Sequence, residues 1–185
     1  AKGGEVSARP LGDYHAAGLG KAKAVCEWLA EALRGSAPQI KFLVFAHHID
    51  VMDYLQSECL DKLGLGGPEG VSPCYVRIDG STPPLCRRDL ALEFANRKDC
   101  RCALLSVTAA GVGLDFSGAS VVLFAELPRE AAVLEQAEAR AHRKGQSRHV
   151  NVYFACAKGT ADEDVWLGLA SSMGRVRIVH DGAAA

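Results

Sequence analysis

Two arginines in the stretch Gln136–Gln146, QAEARAHRKGQ, are the side chains whose type and spacing best suit phosphate chemistry. Gln136, Arg140 and Arg143 are spaced i, i+4 and i+7, so on a helix of about 100° per residue they share one face. The opposite face carries three apolar residues: Leu134, Ala137 and Ala141. Such a helix packs on a core and directs two guanidinium groups at a phosphate. The alternative is a solvated basic helix end that complements the helix dipole.

Small and hydroxyl-bearing residues follow two of the predicted strands. In Ser106–Leu114, SVTAAGVGL, small residues allow a ligand to approach the backbone closely, and Ser106 and Thr108 offer hydroxyls. The turn Asp79–Thr82, DGST, offers two more hydroxyls at a strand end. A phosphodiester backbone fits both stretches. The alternatives are a strand-to-helix crossover that needs glycine and a plain turn that needs no ligand.

The sequence contains neither a phosphate loop nor a metal-binding pattern. Gly18–Lys21, GLGK, fails as a phosphate loop, because position 15 is His where glycine is needed and position 22 is Ala where Ser or Thr is needed. Gly111–Gly113 is followed by Phe116 and not by the third glycine of a dinucleotide-binding motif. His47 and His48 have no third ligand at suitable spacing, so no metal site is predicted. The chain therefore offers groups that neutralise phosphate charge but only half of an active site.

Composition sets further bounds on the function. The chain has 185 residues, 49% of them hydrophobic and 23% charged, which is typical of one globular domain. A net charge of -1 gives no global nucleic-acid signature, so any such contact must be local. Seven cysteines without a CxxC pair predict reduced thiols in an intracellular compartment. We find no apolar run of membrane-spanning length and no signal peptide, and we expect no membrane partner.

The positioning elements alternate between strands and helices. Five strands are predicted: Ile40–Ala46, Cys74–Ile78, Arg101–Leu105, Val121–Ala125 and Val150–Ala155. The predicted helices are Leu19–Leu33, Val51–Leu63, one opened by Pro83 or Pro84, the arginine-bearing helix, and one from a Thr160 capping box to Met173. Leu85, Leu92 and Phe94 are predicted to anchor the helix after the prolines. This alternation predicts a doubly wound parallel α/β sheet.

Four loops follow predicted strands directly: His47–Asp50, Asp79–Thr82, Ser106–Asp115 and Glu126–Glu130. Because ligands of such sheets bind beyond the carboxyl ends of the strands, this clustering predicts a site there. We predict a flexible N-terminal segment or linker at 1–18, one lobe at 19–174 and a flexible tail at 175–185. The Gly- and Pro-rich loop Leu65–Pro73 is predicted to be a mobile insertion.

Four stretches together resemble the Swi/Snf-type DNA translocases of helicase superfamily 2. QAEARAHRKGQ resembles their last helicase motif, whose core reads Q-x-x-x-R-x-x-R-x-G-Q, and SVTAAGVGL resembles the motif before it. RIDGSTPPLCRRDLALEF resembles the preceding strand-turn-helix, and KFLVFAHHIDVMDYL the strand that opens the second RecA-like lobe. The resemblance extends from about Leu19 to Met173, with the motifs in order. The motif sequences are most similar to those of the HepA-related annealing helicases.

The resemblance implies a C-terminal RecA-like lobe, with helices on both faces of a parallel sheet. It implies that Arg143 is an arginine finger, that Arg140 is its partner, and that Gln136 opens the motif. Gly113 and Asp115 are implied to line the nucleotide cleft. The residues implied to track one DNA strand through its phosphates are Ser81, Thr82, Ser106 and Thr108. ATP and Mg²⁺ are expected to be bound mainly by a first lobe outside this chain, DNA is the expected partner, and the nucleus the expected location.

Departures from the family pattern keep two other functions open. Ala139 stands where the family usually has Asp, and Arg129-Glu130-Ala131 replaces the usual Trp-Asn-Pro. A non-catalytic RecA-like module that binds nucleic acid or a protein partner is one alternative. A lobe of an RNA helicase is the other alternative, although the sequences HRKGQ and IDGST favour the Swi/Snf type.

Overall fold

A single five-stranded sheet forms the centre of the protein. The computed structural model describes residues 11–67, 73–109, 113–129, 134 and 149–173. The strands are β1 (Phe42–Ala46), β2 (Tyr75–Ile78), β3 (Cys102–Ser106), β4 (Val121–Phe124) and β5 (Asn151–Phe154). All neighbouring pairs run parallel in the order β2-β3-β1-β4-β5. The predicted doubly wound α/β fold and all five strands are therefore confirmed.

Helices cover both faces of this sheet. The described helices are α1 (Leu11–Gly35), α2 (Ile49–Leu55) with a π-helical continuation (Gln56–Asp61), α3 (Pro84–Asn96) and α4 (Ala161–Met173). Alternate residues of a strand point to opposite faces, so Leu43 and Phe45 of β1 belong to one core and Phe42 and Val44 to the other. The first core is completed by α3 and α4, and the second by α1 and α2.

Three phenylalanines in register tie the strands on the α3–α4 face together. Phe45, Phe124 and Phe154 are partners across β1, β4 and β5. Their neighbouring rings are stacked, with centroids 5.0 Å apart between Phe45 and Phe124 and 5.2 Å apart between Phe124 and Phe154. Trp166 of α4 packs on the last ring at 5.1 Å. This aromatic row holds the carboxyl ends of the three strands level with one another.

Helix α1 begins eight residues earlier than the sequence indicated, so the predicted start at Leu19 is wrong. Residues 11–18 are helical, and Tyr14 and Ala17 are buried. Three glycines between positions 12 and 20 made this stretch look like a linker, but tertiary burial of one helix face outweighs their poor helix propensity.

Two of the three predicted anchors of α3 are also wrong. Leu85 is 85% exposed and Leu92 is 50% exposed, whereas Phe94 is fully buried. Leu85 precedes Phe94 by nine residues, which is about half a turn away around a helix. Leu92 lies close to the Leu85 face for the same reason, and Ala91 joins Phe94 in the core.

The cap of α4 and the state of the cysteines agree with the sequence predictions, whereas the predicted flexible segment 1–18 is wrong for residues 11–18, which are helical. Residues 68–72 of the predicted mobile insertion and the whole predicted tail 175–185 lie outside the described residues. Thr160 caps α4, because its Oγ1 accepts a hydrogen bond from the amide of Asp162 at 3.2 Å. All seven cysteines are free thiols. None of the helices in the described ranges has the length and apolar character needed to span a bilayer.

Candidate functional site

The carboxyl ends of all five strands lie at one edge of the sheet, because every pair is parallel. The segments that begin at this edge are residues 47–48 after β1, 79–82 after β2, 107–109 after β3 and 125–129 after β4. Since β2 and β3 are neighbours, the Ser81–Thr82 turn and the Ser106–Thr108 stretch lie at adjacent strand ends. The structure therefore brings the four predicted DNA-contacting residues to one edge of the sheet.

The hydroxyls of the 79–82 turn are engaged within the turn itself. Ser81 donates from its amide and its hydroxyl to Oδ1 of Asp79, at 2.9 and 2.6 Å. The amide of Asp79 donates to Oγ1 of Thr82 at 3.0 Å. Ser81 is nevertheless exposed, and Thr82 is half-buried. The Thr82 hydroxyl keeps its hydrogen for an outside acceptor, because it uses only a lone pair within the turn.

The hydrogen bond from Ser81 holds the pKa of the Asp79 carboxyl below its ordinary value, although burial opposes it. Arg77 adds to this effect, with Nε donating to Asp79 Oδ2 at 3.0 Å. Arg77 also reaches α2 through Asp53 at 2.6 Å and the π-helical Gln56 at 2.7 Å. The charged form of Asp79 thus fixes the turn to the neighbouring helix.

Arg87 of α3 holds the same turn from the other side. Its guanidinium donates to the carbonyl oxygens of Thr82 at 2.7 Å and Asp79 at 3.2 Å. Sequence reasoning missed both Arg77 and Arg87. The available signal was an arginine on each side of the DGST turn, one in a buried strand and one in the first turns of the following helix.

Ser106 and Thr108 have different exposures. Their hydroxyl oxygens lie 2.8 Å apart, but Ser106 is 2% exposed while Thr108 is exposed. The Val107 amide between them donates to the Ala46 carbonyl at 2.9 Å, which extends the pairing with β1 by one residue. Thr108 is thus the hydroxyl presented to solvent, and Ser106 orients it from inside.

The two predicted nucleotide-cleft residues lie between β3 and β4. Gly113 has a φ of +60°, a conformation that L side chains rarely adopt. Asp115 is exposed, and its Oδ1 accepts a hydrogen bond from the Ser117 amide at 3.0 Å. Backbone conformation explains the glycine, and the nucleotide role of both residues stays a prediction.

The predicted catalytic residues Gln136, Arg140 and Arg143 lie outside the described residues. Between 130 and 148 the structure describes only Leu134. Leu134 is fully buried in the α3–α4 core, which confirms its predicted place on the packing side. Within the described ranges, no group of three His, Cys, Asp or Glu side chains is placed to hold a metal ion.

A buried carboxylate at the same edge was missed by sequence reasoning. Glu126, two residues after the end of β4, is fully buried. It accepts hydrogen bonds from the amides of His47 and His48, at 2.8 and 2.9 Å, and lies 2.6 Å from Nδ1 of His48. The signal was a carboxylate inside the otherwise apolar run VVLFAEL. Burial and the neighbouring His48 lower the pKa of His47, against the attraction of Glu126.

The fold and this edge are those of a helicase C-terminal domain. The chain belongs to the family described as helicase conserved C-terminal domain, whose model matches residues 20–145. Within it, the chain is a C-terminal lobe of the Swi/Snf-related type, as its relatives show. The resemblance noted in the sequence and the RecA-like fold are both confirmed.

Two curated relatives and one solved structure illustrate the match. The Caenorhabditis elegans homolog of SWI/SNF-related matrix-associated actin-dependent regulator of chromatin subfamily A-like protein 1 is 44% identical, over 83% of this chain and 21% of that protein. DNA annealing helicase and endonuclease ZRANB3 of Mus musculus is 38% identical, over 80% of this chain and 13% of that protein. The crystal structure of the C-terminal part of the Fun30 ATPase domain is 26% identical with a TM-score of 0.68, covering 88% of this chain and 47% of that one. The chain thus spans about a fifth or less of these curated relatives.

Proposed function

We propose that this chain is the second motor lobe of an ATP-dependent DNA translocase of annealing-helicase type. The observation that carries the proposal is the family match through residues 20–145, which includes all the motif-bearing loops at one sheet edge. In such a motor, ATP hydrolysis is coupled to movement along duplex or forked DNA and to rewinding of its strands. The names of the relatives refer to chromatin regulation and DNA annealing, and we propose a nuclear location and a role in fork repair or DNA remodelling.

In the proposed reaction, Arg143 and Arg140 act in trans on the γ-phosphate of ATP. A first lobe, outside this chain, holds the nucleotide and Mg²⁺. Phosphoryl transfer passes through a loose transition state that positioned cations stabilise, and an arginine finger is worth about 10³–10⁵ in rate. Gln136, Gly113 and Asp115 line the cleft between the lobes. Because the two halves of the site meet only on closure, hydrolysis becomes coupled to lobe movement.

DNA is proposed to lie along the ends of β2 and β3. Thr82 and Thr108 offer hydroxyl hydrogens to phosphate oxygens, Ser81 lies on the same surface, and Ser106 orients Thr108. Phosphate contacts of this kind position a protein without reading sequence. They also suit a chain whose net charge of -1 supplies no long-range attraction.

The test joins this chain to a matched first lobe and measures DNA-stimulated ATPase activity. We expect Arg143→Ala to lower turnover by at least about 10²-fold while DNA affinity is kept. Arg34→Ala removes an exposed guanidinium at the end of α1 and is the matched control. The same turnover in Arg143→Ala and Arg34→Ala would refute the finger assignment.

Two further measurements separate the alternatives. The isolated chain is expected to show no ATPase activity above background, because half of the proposed site is elsewhere. If the two-lobe protein binds DNA but does not hydrolyse ATP, the chain is the non-catalytic module. The replacement of Trp-Asn-Pro by Arg129-Glu130-Ala131 supports this alternative. Stimulation by duplex RNA in preference to duplex DNA would identify an RNA helicase lobe.

A further inference from the structure

Glu126 joins the β1–α2 turn to the loop that follows β4. Burying a carboxylate is costly unless donors satisfy it, and three donor groups surround this one: the His47 amide, the His48 amide and the His48 ring. Its carboxylate is fully buried. The loop cannot leave the β1 turn without exposing or unpairing these groups.

Helix α1 contacts the same loop directly. The Tyr14 hydroxyl donates a hydrogen bond to the Leu127 carbonyl oxygen, and the Arg129 guanidinium lies 5.8 Å from the Tyr14 ring centroid. The next residue of α1, His15, also makes a contact, because its Nε2 lies 2.6 Å from Oδ2 of Asp50 in α2. Helix α1 therefore contacts residues 126–129 and is also tied to the start of α2. Residues 126–129 lead into the segment that carries Gln136, Arg140 and Arg143.

Gly18 is the position on α1 that makes room for Glu126. A Cβ added to Gly18 would overlap Glu126 Oε1 and lie 3.0 Å from its Cδ and 3.3 Å from Val51 Cγ2. A Cβ added to Gly20, two residues on, would meet nothing within 4 Å. A Cβ at 18 therefore requires the Glu126 carboxylate, which bonds to the β1 turn, to shift. Gly18 was singled out in the sequence as part of a false phosphate loop, and this contact gives it a different role.

We propose that Glu126 is a positioning residue for the two proposed finger arginines, Arg140 and Arg143. Its carboxylate holds residues 125–129 against the β1 turn and α1. The position at which the arginine-bearing segment begins is thereby fixed relative to the sheet. An arginine finger acts only in the correct geometry, and a displacement of about 1 Å can cost about 10²-fold in rate. This inference rests on the proposed function.

The closing experiment compares Gly18→Ala with Gly20→Ala in the two-lobe protein. Both changes add one methyl group to the interior of α1 and raise its helix propensity equally, but only the first displaces Glu126. We expect Gly18→Ala to lower kcat about 10-fold with the KM for ATP unchanged, because geometry and not ATP binding is lost. Gly20→Ala should keep the wild-type kcat, and both variants should keep a cooperative thermal transition. Equal kcat values in the two variants would overturn the proposal.

A double-mutant cycle shows whether Gly18→Ala acts through Glu126. Glu126→Gln keeps the side-chain size and an oxygen that accepts both amide bonds, and its NH2 group can donate to Nδ1 of His48 when that ring takes the tautomer with Nδ1 unprotonated, so it should retain most of kcat. In a Glu126→Ala background the carboxylate that the new Cβ would overlap is gone and only the 3.3 Å contact with Val51 Cγ2 is left, so Gly18→Ala should add little further loss. Additive losses would mean that Gly18→Ala acts elsewhere and would count against the proposal.

Amide hydrogen exchange of the isolated chain tests the anchor without any ATPase activity. The His47 and His48 amides donate to Glu126, whereas the Ala125 amide donates to the Phe45 carbonyl at 2.8 Å. Gly18→Ala should speed exchange at the two histidines by about 10-fold or more and leave Ala125 unchanged. Unchanged exchange at both histidines would refute the anchor. A wild-type two-lobe protein without DNA-stimulated hydrolysis would instead refute the proposed function, so the two failures are distinguishable.

Discussion

Lys21 of α1 and Asp162 of α4 form an ion pair inside the protein, with Nζ 2.8 Å from Oδ2 and side chains 6% and 0% exposed. The same ammonium group donates to the Ala155 carbonyl at 2.7 Å, and the same carboxylate oxygen accepts from the Ala157 amide at 2.8 Å. Lys21 thus joins α1 to α4 and to the residue that follows β5. Its segment, Gly18–Lys21, lies within a helix, which agrees with the exclusion of a phosphate loop.

Lys21→Met should destabilise the protein strongly, because it leaves the Asp162 carboxylate buried without its cation. Among the described residues Oδ1 of Asp162 has no hydrogen-bond partner, so the carboxylate would keep only its bond from the Ala157 amide. Removing one partner of a buried pair costs about 3–5 kcal/mol. Urea denaturation measures this as a lower midpoint with an unchanged m-value. Adding Asp162→Asn, which removes the unpaired charge, should recover part of the loss, and a loss below about 1 kcal/mol in Lys21→Met would contradict the assignment.

The strands of the sheet could be predicted from the sequence, but the long-range contacts between helices and strands could not. Short apolar runs are a local signal, and each of the five predicted strands is present. The contacts of Lys21 were invisible to such reasoning, because its partner Asp162 is 141 positions away. The start of α1 was missed for a related reason, since burial of Tyr14 against distant segments stabilises a helix that its glycines disfavour.

For the candidate site, sequence reasoning named the hydroxyl residues but not how each is used. That Ser81 and Thr82 bond to Asp79, and that Ser106 is buried behind Thr108, depends on how neighbouring strand ends are placed. Glu126 looked like one more loop residue until its burial was known. The placement of Arg140 and Arg143 stays a prediction.

Lys41→Met should weaken the end of α3. The Lys41 ammonium group is buried against this helix end and donates to the carbonyl oxygens of Phe94 and Arg97, the latter at 2.8 Å. A cation there complements the helix dipole, although burial lowers the pKa of Lys41. Losing charged hydrogen bonds to these carbonyls should cost about 1.5–3 kcal/mol in thermal or urea unfolding. Lys98→Met, at an exposed lysine near the same helix end, is the matched control and should change stability by less than about 0.5 kcal/mol.

Tyr75 should make the fold sensitive to alkaline pH. Burial, reinforced by a 2.9 Å hydrogen bond to Asp61, raises the pKa of Tyr75 from 10.0 to about 12. The unfolded chain therefore loses this proton first, so the contribution of Tyr75 to stability is complete below pH 10 and is lost as the pH rises toward 12. Unfolding free energies measured across this range should fall more steeply for the wild type than for Tyr75→Phe. Parallel curves for the two proteins would show that Tyr75 is not perturbed.

Phe94→Ala and Leu85→Ala test which face of α3 packs on the sheet. The Phe94 ring is fully buried, with the Phe116 centroid 5.5 Å away and the Lys41 ammonium group 4.9 Å from its own centroid. Truncating such a ring leaves a cavity and should cost about 3–5 kcal/mol. Leu85→Ala removes a side chain that is 85% exposed, so its effect should stay within about 0.5 kcal/mol. If Leu85→Ala lowered the unfolding free energy by about 2 kcal/mol or more, Leu85 would be a packed anchor of α3, as the sequence alone predicted. The two variants are well matched, because both introduce alanine into the same helix, at positions about half a turn apart around its axis.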